Sequence, residues 1–241
     1  MISCSSIGKK GLKKYMNDNL NLIVMLTHND RTVSNAYEIF EQCKDSKAKY
    51  FGFKEEPLPL EQMKDLFKYM KECGKTTFLE VVAYTEKECI KGAKMAVECG
   101  CDILMGTMYS DTVNKICKDN NLKYMPFVGK IKDRPSILEG TIDEMVAEAN
   151  EYLKKGVYGF DLLGYRYTGD AAELNKEFVS RVNAPVCIAG SVNSYKRLDE
   201  LKDACPWSFT IGGAFFENKF EGSFKEQIDK VCDYIQSNGQ A

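Results

Sequence analysis

Eight short, β-rich apolar segments alternate with longer amphipathic ones along a chain of 241 residues, and no Pro/Gly/Ser-rich linker interrupts them. This pattern predicts an α/β protein built as one closed (β/α)8 TIM barrel, a fold whose usual length is ~250 residues. An open doubly wound sheet is the other arrangement the alternation allows. The barrel is assigned to residues 20–236, after an N-terminal extension over 1–19, and the last residues, from Ser237, read as a frayed tail.

The candidate strands begin near Leu22 (LIVML), Tyr50 (YFGF), Thr77 (TFLEVVA), Asp102 (DILMG), Lys123 (KYMPFVG), Tyr158 (YGFDLLG), Pro185 (PVCIAG) and Ser208 (SFTIGG). Between them, helical periodicity covers 33–42, 60–73, 86–98, 111–120, 142–155, 171–182, 195–203 and 223–236. Thr85-x-x-Glu88 and Thr141-x-x-Glu144 are capping-box signatures, in which side chain and backbone satisfy each other's free N–H groups at a helix start. Gly74, Gly100 and Gly156 sit where helices should stop.

Composition narrows the function classes. A formal net charge of −2, with 28% charged residues, gives no sign of the concentrated basic surface that nucleic-acid binding requires. No apolar run is long enough to span a bilayer, and the lysines near the N-terminus precede no apolar signal segment. A cytoplasmic protein is expected. The ten cysteines, several in apolar periodic segments, read as reduced core thiols, and a homo-oligomer is compatible with the sequence. With His28 the only histidine and no Cys-x-x-Cys, no structural metal site is expected. The Gly-x-Gly-x-x-Gly fingerprint is absent, so no dinucleotide cofactor is expected either.

Barrel chemistry sits at the C-terminal ends of the strands. That rule selects Thr27 to Asp30 after the first strand, Lys54 and Glu55 after the second, Glu80 in the third, and Thr107 after the fourth. Lys130, Lys132 and Arg134 follow the fifth, and Asp161, Tyr165, Arg166 and Tyr167 surround the end of the sixth. The face gathers positive charge, and an anionic small molecule is its natural guest. Strand alternation then orients three groups. Phe51 and Phe53 share one face and Gly52 and Lys54 the other; Leu79 and Val81 leave Glu80 on the lumen side, as Phe160 and Leu162 leave Asp161. Lys54, Glu80 and Asp161 are the candidate catalytic residues. A Lys54–Glu80 ion pair that only braces neighbouring strands is the plain structural alternative.

His28 is a candidate substrate-binding residue or general base, and its loop fits a helix cap equally well. Lys130 fits an anchor for a substrate carboxylate or a solvated loop lysine. Arg166 fits a substrate clamp or a stack between Tyr165 and Tyr167.

The seventh and eighth strands end on Gly190-Ser191 and Gly212-Gly213, the places where barrels often build a phosphate site from backbone N–H groups. The pair IAGSVNS and FTIGGAFFE resembles the phosphate-binding β/α barrels, the ribulose-phosphate-binding-like superfamily, over the last quarter of the chain. The resemblance implies phosphate binding at Gly190, Ser191, Gly212 and Gly213. It does not carry over the superfamily's known chemistry. Its aldolases use a Schiff-base lysine on strand six, where this chain has Asp161 and Arg166. Its decarboxylase and 3-epimerase branches use an Asp-x-Lys-x-x-Asp or a His/Asp/metal pattern, and neither is present here.

These readings predict an enzyme, without cofactor, that moves a proton next to the carbonyl of a small phosphorylated sugar or keto acid. Glu80 or Asp161 would be the base. Lys54 would be an electrophile, giving isomerisation or epimerisation, or a Schiff-base nucleophile, giving aldol cleavage by a lyase. The alternative is a non-catalytic phosphosugar-binding barrel acting as sensor or assembly partner. On this reading Lys54→Met abolishes turnover and leaves the melting temperature within a few degrees.

Overall fold

In the computed structural model, which describes residues 20–237, each of the eight apolar segments forms one strand of a single parallel sheet. The strands are β1 Asn21–Met25, β2 Tyr50–Lys54, β3 Thr76–Val81 and β4 Ile103–Gly106. They continue as β5 Lys123–Met125, β6 Phe160–Leu162, β7 Val186–Ile188 and β8 Ser208–Ile211. Their order is β6-β7-β8-β1-β2-β3-β4-β5. The ring is completed between β5 and β6, where Tyr158 N–H donates to the Tyr124 carbonyl at 2.9 Å and Asp161 N–H to that of Pro126 at 3.1 Å. The barrel, not the open sheet, is what the chain forms. The expectations for 1–19 and for 238–241 lie outside the described residues.

Helices cover the sheet from outside: α1 Ala36–Cys43, α2 Leu60–Glu72, α3 Glu86–Cys99, α4 Asp111–Asp119 and α5 Ile142–Lys154. They are followed by α6 Ala171–Arg181, α7 Tyr195–Ala204, the one-turn α8 Gly213–Phe216 and α9 Phe224–Gln236. Thr141 makes the full capping box with Glu144, and Ser223 makes another with Glu226 that the sequence reading missed. At Thr85 only half of the expected box forms, because Glu88 accepts from the Thr85 hydroxyl at 2.7 Å rather than from its backbone. Gly74, Gly100 and Gly156 end their helices with φ of +73°, +67° and +80°, a region that costs glycine nothing. Among the described residues no helix is long and apolar enough to cross a membrane.

Two hairpins at the C-terminal rim were not legible in the periodicity. Thr27–His28 pairs antiparallel with Arg31–Thr32, and Lys130–Lys132 with Ile137–Glu139. The first delays α1 to Ala36, because Arg31 and Thr32 are occupied in pairing and Val33 N–H donates to the Leu26 carbonyl at 3.1 Å.

The core has two layers divided by the sheet. Outward-facing Phe51 and Phe53 pack on the helices, Phe53 stacking on Phe67 at 4.2 Å between centroids. Inside the barrel Ile23, Met25, Phe78, Ile103, Met105, Met125 and Cys187 form a second cluster, packed against Tyr50, Tyr158 and Trp207. Burying each large member contributes about 1.5–3 kcal/mol. The lumen is filled so fully that β2 must carry glycine at its centre: a Cβ on Gly52 would lie 2.7 Å from the Phe78 carbonyl oxygen and 2.8 Å from Phe78 Cβ. Gly52→Ala is therefore expected to lower unfolding free energy by about 1–3 kcal/mol in urea titrations, through overpacking. An unchanged midpoint would show that the interior is looser than described.

Candidate active site at the barrel mouth

With Phe53 on the helices, Lys54 at the end of β2 has to turn into the barrel. Its backbone is pinned there: Lys54 N–H donates to Thr32 Oγ1, and that hydroxyl donates to the Lys54 carbonyl, both at 2.8 Å. Glu80 is its register partner on β3, and Lys54 Nζ lies 3.0 Å from Glu80 Oε1. A second carboxylate comes from the turn of the first hairpin. Asn29 and Asp30 both hold left-handed φ, 49° and 63°, as the two central residues of a type I′ turn do. This presents Asp30 Oδ1 2.8 Å from Lys54 Nζ. All three side chains are at most 10% exposed.

Burial works against the Lys54 ammonium, but the charges of Glu80 and Asp30 outweigh it and hold the lysine above its ordinary pKa. The ammonium is thus the resting form. Asp30 is shared with the second hairpin: Arg134 Nε lies 3.2 Å from Asp30 Oδ2, and the same guanidinium reaches Glu56 at 2.7 Å and Glu55 at 3.4 Å. Tyr84 fastens that hairpin from β3's side, its hydroxyl donating to the Asp133 carbonyl at 2.7 Å. The loop after β5 therefore spans the mouth as a roof held by charge.

A cavity of about 490 Å³ opens beneath it. Its lining joins Lys54, Glu80 and Asp30 on one side to His28, Arg166, Gly190, Ser191, Gly212 and Gly213 on the other. The backbone N–H groups of Gly190, Ser191, Gly212 and Gly213 find no acceptor among the described residues. The glycines themselves serve different neighbours. Gly190, with φ +92°, makes room for Arg166, whose Cγ would lie 2.5 Å from an added Cβ. Gly212 makes room for Thr27, whose Oγ1 would lie at 2.5 Å. At Gly213 an added Cβ would meet only ordinary van der Waals neighbours, His28 Cδ2 at 3.6 Å and Glu217 Oε1 at 3.8 Å.

Arg166 ends the 3-10 turn Gly164–Arg166, with its stem laid over Gly190. Its Nε is buried without a partner, and among the described residues no carboxylate pairs with its guanidinium. The flanking tyrosines do not stack on it: Tyr165 lies under Arg197, 4.7 Å from ring centroid to guanidinium, and Tyr167 donates to the Gly140 carbonyl at 2.8 Å. His28 is on a hairpin strand rather than a helix cap. It stacks on Phe216 at 5.6 Å and places Nε2 3.8 Å from Glu217 Oε1.

The structure separates two candidates from this cavity. Lys130 opens the second hairpin, exposed, and does not line the cavity. Asp161 points into the barrel but lies fully buried and outside the cavity lining, and both its carboxyl oxygens lack hydrogen-bond partners among the described residues. The reading missed Asp30 as a ligand of Lys54 and Arg134 as the latch over it. Asp30 had a usable signal, an Asn-Asp pair between two β-prone dipeptides; Arg134 had none, since its partners come from loops far away in sequence.

The geometry also corrects the expected stability of the lysine variant. Lys54 is the counterion of two nearly buried carboxylates, and removing one member of a buried ion pair costs about 3–5 kcal/mol. Lys54→Met is expected to lose stability of this order in chemical denaturation, and Lys54→Met with Glu80→Gln to recover a measurable part of it. A double variant no more stable than the single one would contradict the pairing.

No family model and no curated protein matches the sequence. Solved structures match in shape. Orotidine 5'-phosphate decarboxylase from Pyrococcus horikoshii OT3 superposes with a TM-score of 0.68 at 14% identity, over 90% of this chain and 99% of that one. N-(5'-phosphoribosyl)anthranilate isomerase from Pyrococcus furiosus gives 0.64 at 10% identity, over 90% and 98% of the two chains. The N-acetylmannosamine-6-phosphate 2-epimerase from Clostridium perfringens gives 0.59 at 15% identity, over 80% and 86%. At these identities the likeness is one of fold alone, and that fold is the (β/α)8 barrel.

Proposed function

We propose that the chain is an enzyme that transfers a proton at the carbon next to the carbonyl of a small phosphorylated sugar or keto acid. The observation that carries this reading is the joining, in one cavity, of a charged Lys54–Glu80 pair with Arg166 and four backbone N–H groups that have no partner among the described residues. N–H groups lining one cavity with a guanidinium suit a phosphate ester, and the volume, about 490 Å³, suits a metabolite of modest size.

Each residue then has a task. The phosphate sits at Gly190, Ser191, Gly212 and Gly213 with Arg166 above it, which places the carbonyl end toward β2 and β3. There the Lys54 ammonium donates to the carbonyl oxygen and stabilises the negative charge that develops on it. Glu80 lines the cavity and Asp161 does not, so Glu80 takes the proton from carbon. Asp30 keeps the ammonium charged and aimed. A lysine held protonated is a poor imine former, so the arrangement favours isomerisation or epimerisation over Schiff-base aldol cleavage. The isomerase and epimerase of like fold, both named for phosphorylated compounds, agree with this reading.

Thermal unfolding with a panel of phosphorylated aldoses, ketoses and 2-keto acids, each beside its unphosphorylated counterpart, tests it. A true ligand at 100 times its dissociation constant stabilises the fold by ~2.7 kcal/mol. Phosphorylated members are expected to raise the melting temperature of the wild-type chain, with the effect lost in Arg166→Met. Equal shifts from phosphorylated and unphosphorylated members, or an undiminished shift in the variant, would contradict the site.

A further inference from the structure

One buried acid remains outside that scheme. Asp161, on β6, is fully buried in the barrel interior, and neither carboxyl oxygen has a hydrogen-bond partner among the described residues. Its strand neighbour across the β6-β7 pairing is Cys187, also fully buried, and the next in that row is Ser208 on β8, whose Oγ is equally unpartnered. Neither neighbour brings a positive charge.

Glu80 on β3 repels an ionised Asp161, and Lys54 on β2 attracts it. Lys54 is already the counterion of Glu80 and Asp30, at 3.0 and 2.8 Å. An ionised Asp161 would add a further negative charge with no hydrogen bond and no cation of its own. Taking an unpaired carboxylate out of water is far more costly than burying the neutral acid, and such groups take up a proton instead.

We propose that Glu80 and Asp161 work as one electrostatically coupled carboxylate–carboxylic acid pair across the barrel lumen, in which the proton resides on Asp161 and Glu80 is the ionised member. The direction of titration agrees: burial first, then the Glu80 charge, pushes Asp161 well above the ordinary carboxylate range, against a smaller opposing pull from Lys54. Asp161 is thus a positioning residue. It touches no substrate and acts through Glu80, because its proton removes the repulsion that a second carboxylate would impose on the base. When Glu80 takes a proton from carbon, the charge that helps hold the Asp161 proton in place disappears. This catalytic consequence rests on the reading of Glu80 as base; the protonation of Asp161 does not.

Stability follows with a definite sign. Between the ordinary aspartate range and the raised one, the folded chain holds a proton that the unfolded chain has released, so this residue's contribution makes stability fall as pH rises. Asp161→Asn removes that slope.

Infrared spectroscopy tests the proposal without any knowledge of the substrate. At neutral pH the wild-type chain is expected to show the carbonyl stretch of a buried carboxylic acid. The band should move on 13C-aspartate labelling, disappear in Asp161→Asn, and titrate at lower pH in Glu80→Gln, where the neighbouring charge is gone. Absence of a label-sensitive acid band at neutral pH overturns the proposal, and so does a band whose titration is unmoved in Glu80→Gln. Should Asp161→Asn fail to fold, labelling and the Glu80 variant decide alone. A chain that shows the band and its shift but catalyses nothing would refute the proposed function and leave this pair standing; an active chain without the band would do the reverse.

Discussion

The barrel mouth is organised by one ammonium, Lys54 Nζ, held 2.8 Å from Asp30 and 3.0 Å from Glu80 with almost no access to water. Three charged groups in so dry a place persist only because each is answered by another. The consequences spread outward through charge. Asp30 shares its second oxygen with Arg134, which also reaches Glu55 and Glu56, so the roof over the cavity is tied to the same network as the floor. Inward, Lys54 is already shared by Glu80 and Asp30, and Asp161 across the lumen has no ion-pair partner among the described residues.

The two ends of the cavity obey opposite electrostatic rules. At the Lys54 end every charge is compensated within the protein, which favours geometry that does not change when a ligand arrives. At the Arg166 end the guanidinium and four N–H groups find no partner among the described residues, so an anion would meet them favourably. On the proposed function, a phosphate ester with a carbonyl would bring its dianionic end to these donors and its neutral carbonyl to an ammonium whose position is already fixed. Preorganisation of this kind places the energetic advantage where charge develops during reaction.

How far the site could be read from sequence depended on the range of the forces that fix each residue. Lys54 and Glu80 were legible because a period of two leaves a strand residue only two faces, and Phe53 and Leu79 settle which one. Asp161 was correctly placed on the lumen face by the same rule, yet its depth below the cavity was not, because that depends on barrel stagger and on what fills the space above. Asp30 reaches the site through a tight hairpin turn rather than through periodicity. Arg134 reaches it across the whole mouth. The glycines show a different gap: their clustering was visible, but a sequence does not say who needs the room, and at Gly190 and Gly212 it is taken by Arg166 and Thr27. At Gly213 an added Cβ would meet His28 and Glu217 at ordinary van der Waals distance.

The central claim is that Glu80 takes a proton from carbon while Lys54, still protonated, polarises the neighbouring carbonyl. The direct measurement is solvent hydrogen exchange, followed by proton NMR in deuterium oxide, at the carbon beside the carbonyl of whichever phosphorylated compound binds. The account predicts that the wild-type chain catalyses loss of that proton signal, that Glu80→Gln abolishes the exchange while still binding the compound, and that no covalent lysine adduct accumulates. Exchange that persists at the wild-type rate in Glu80→Gln, or that requires an imine at Lys54, would contradict it.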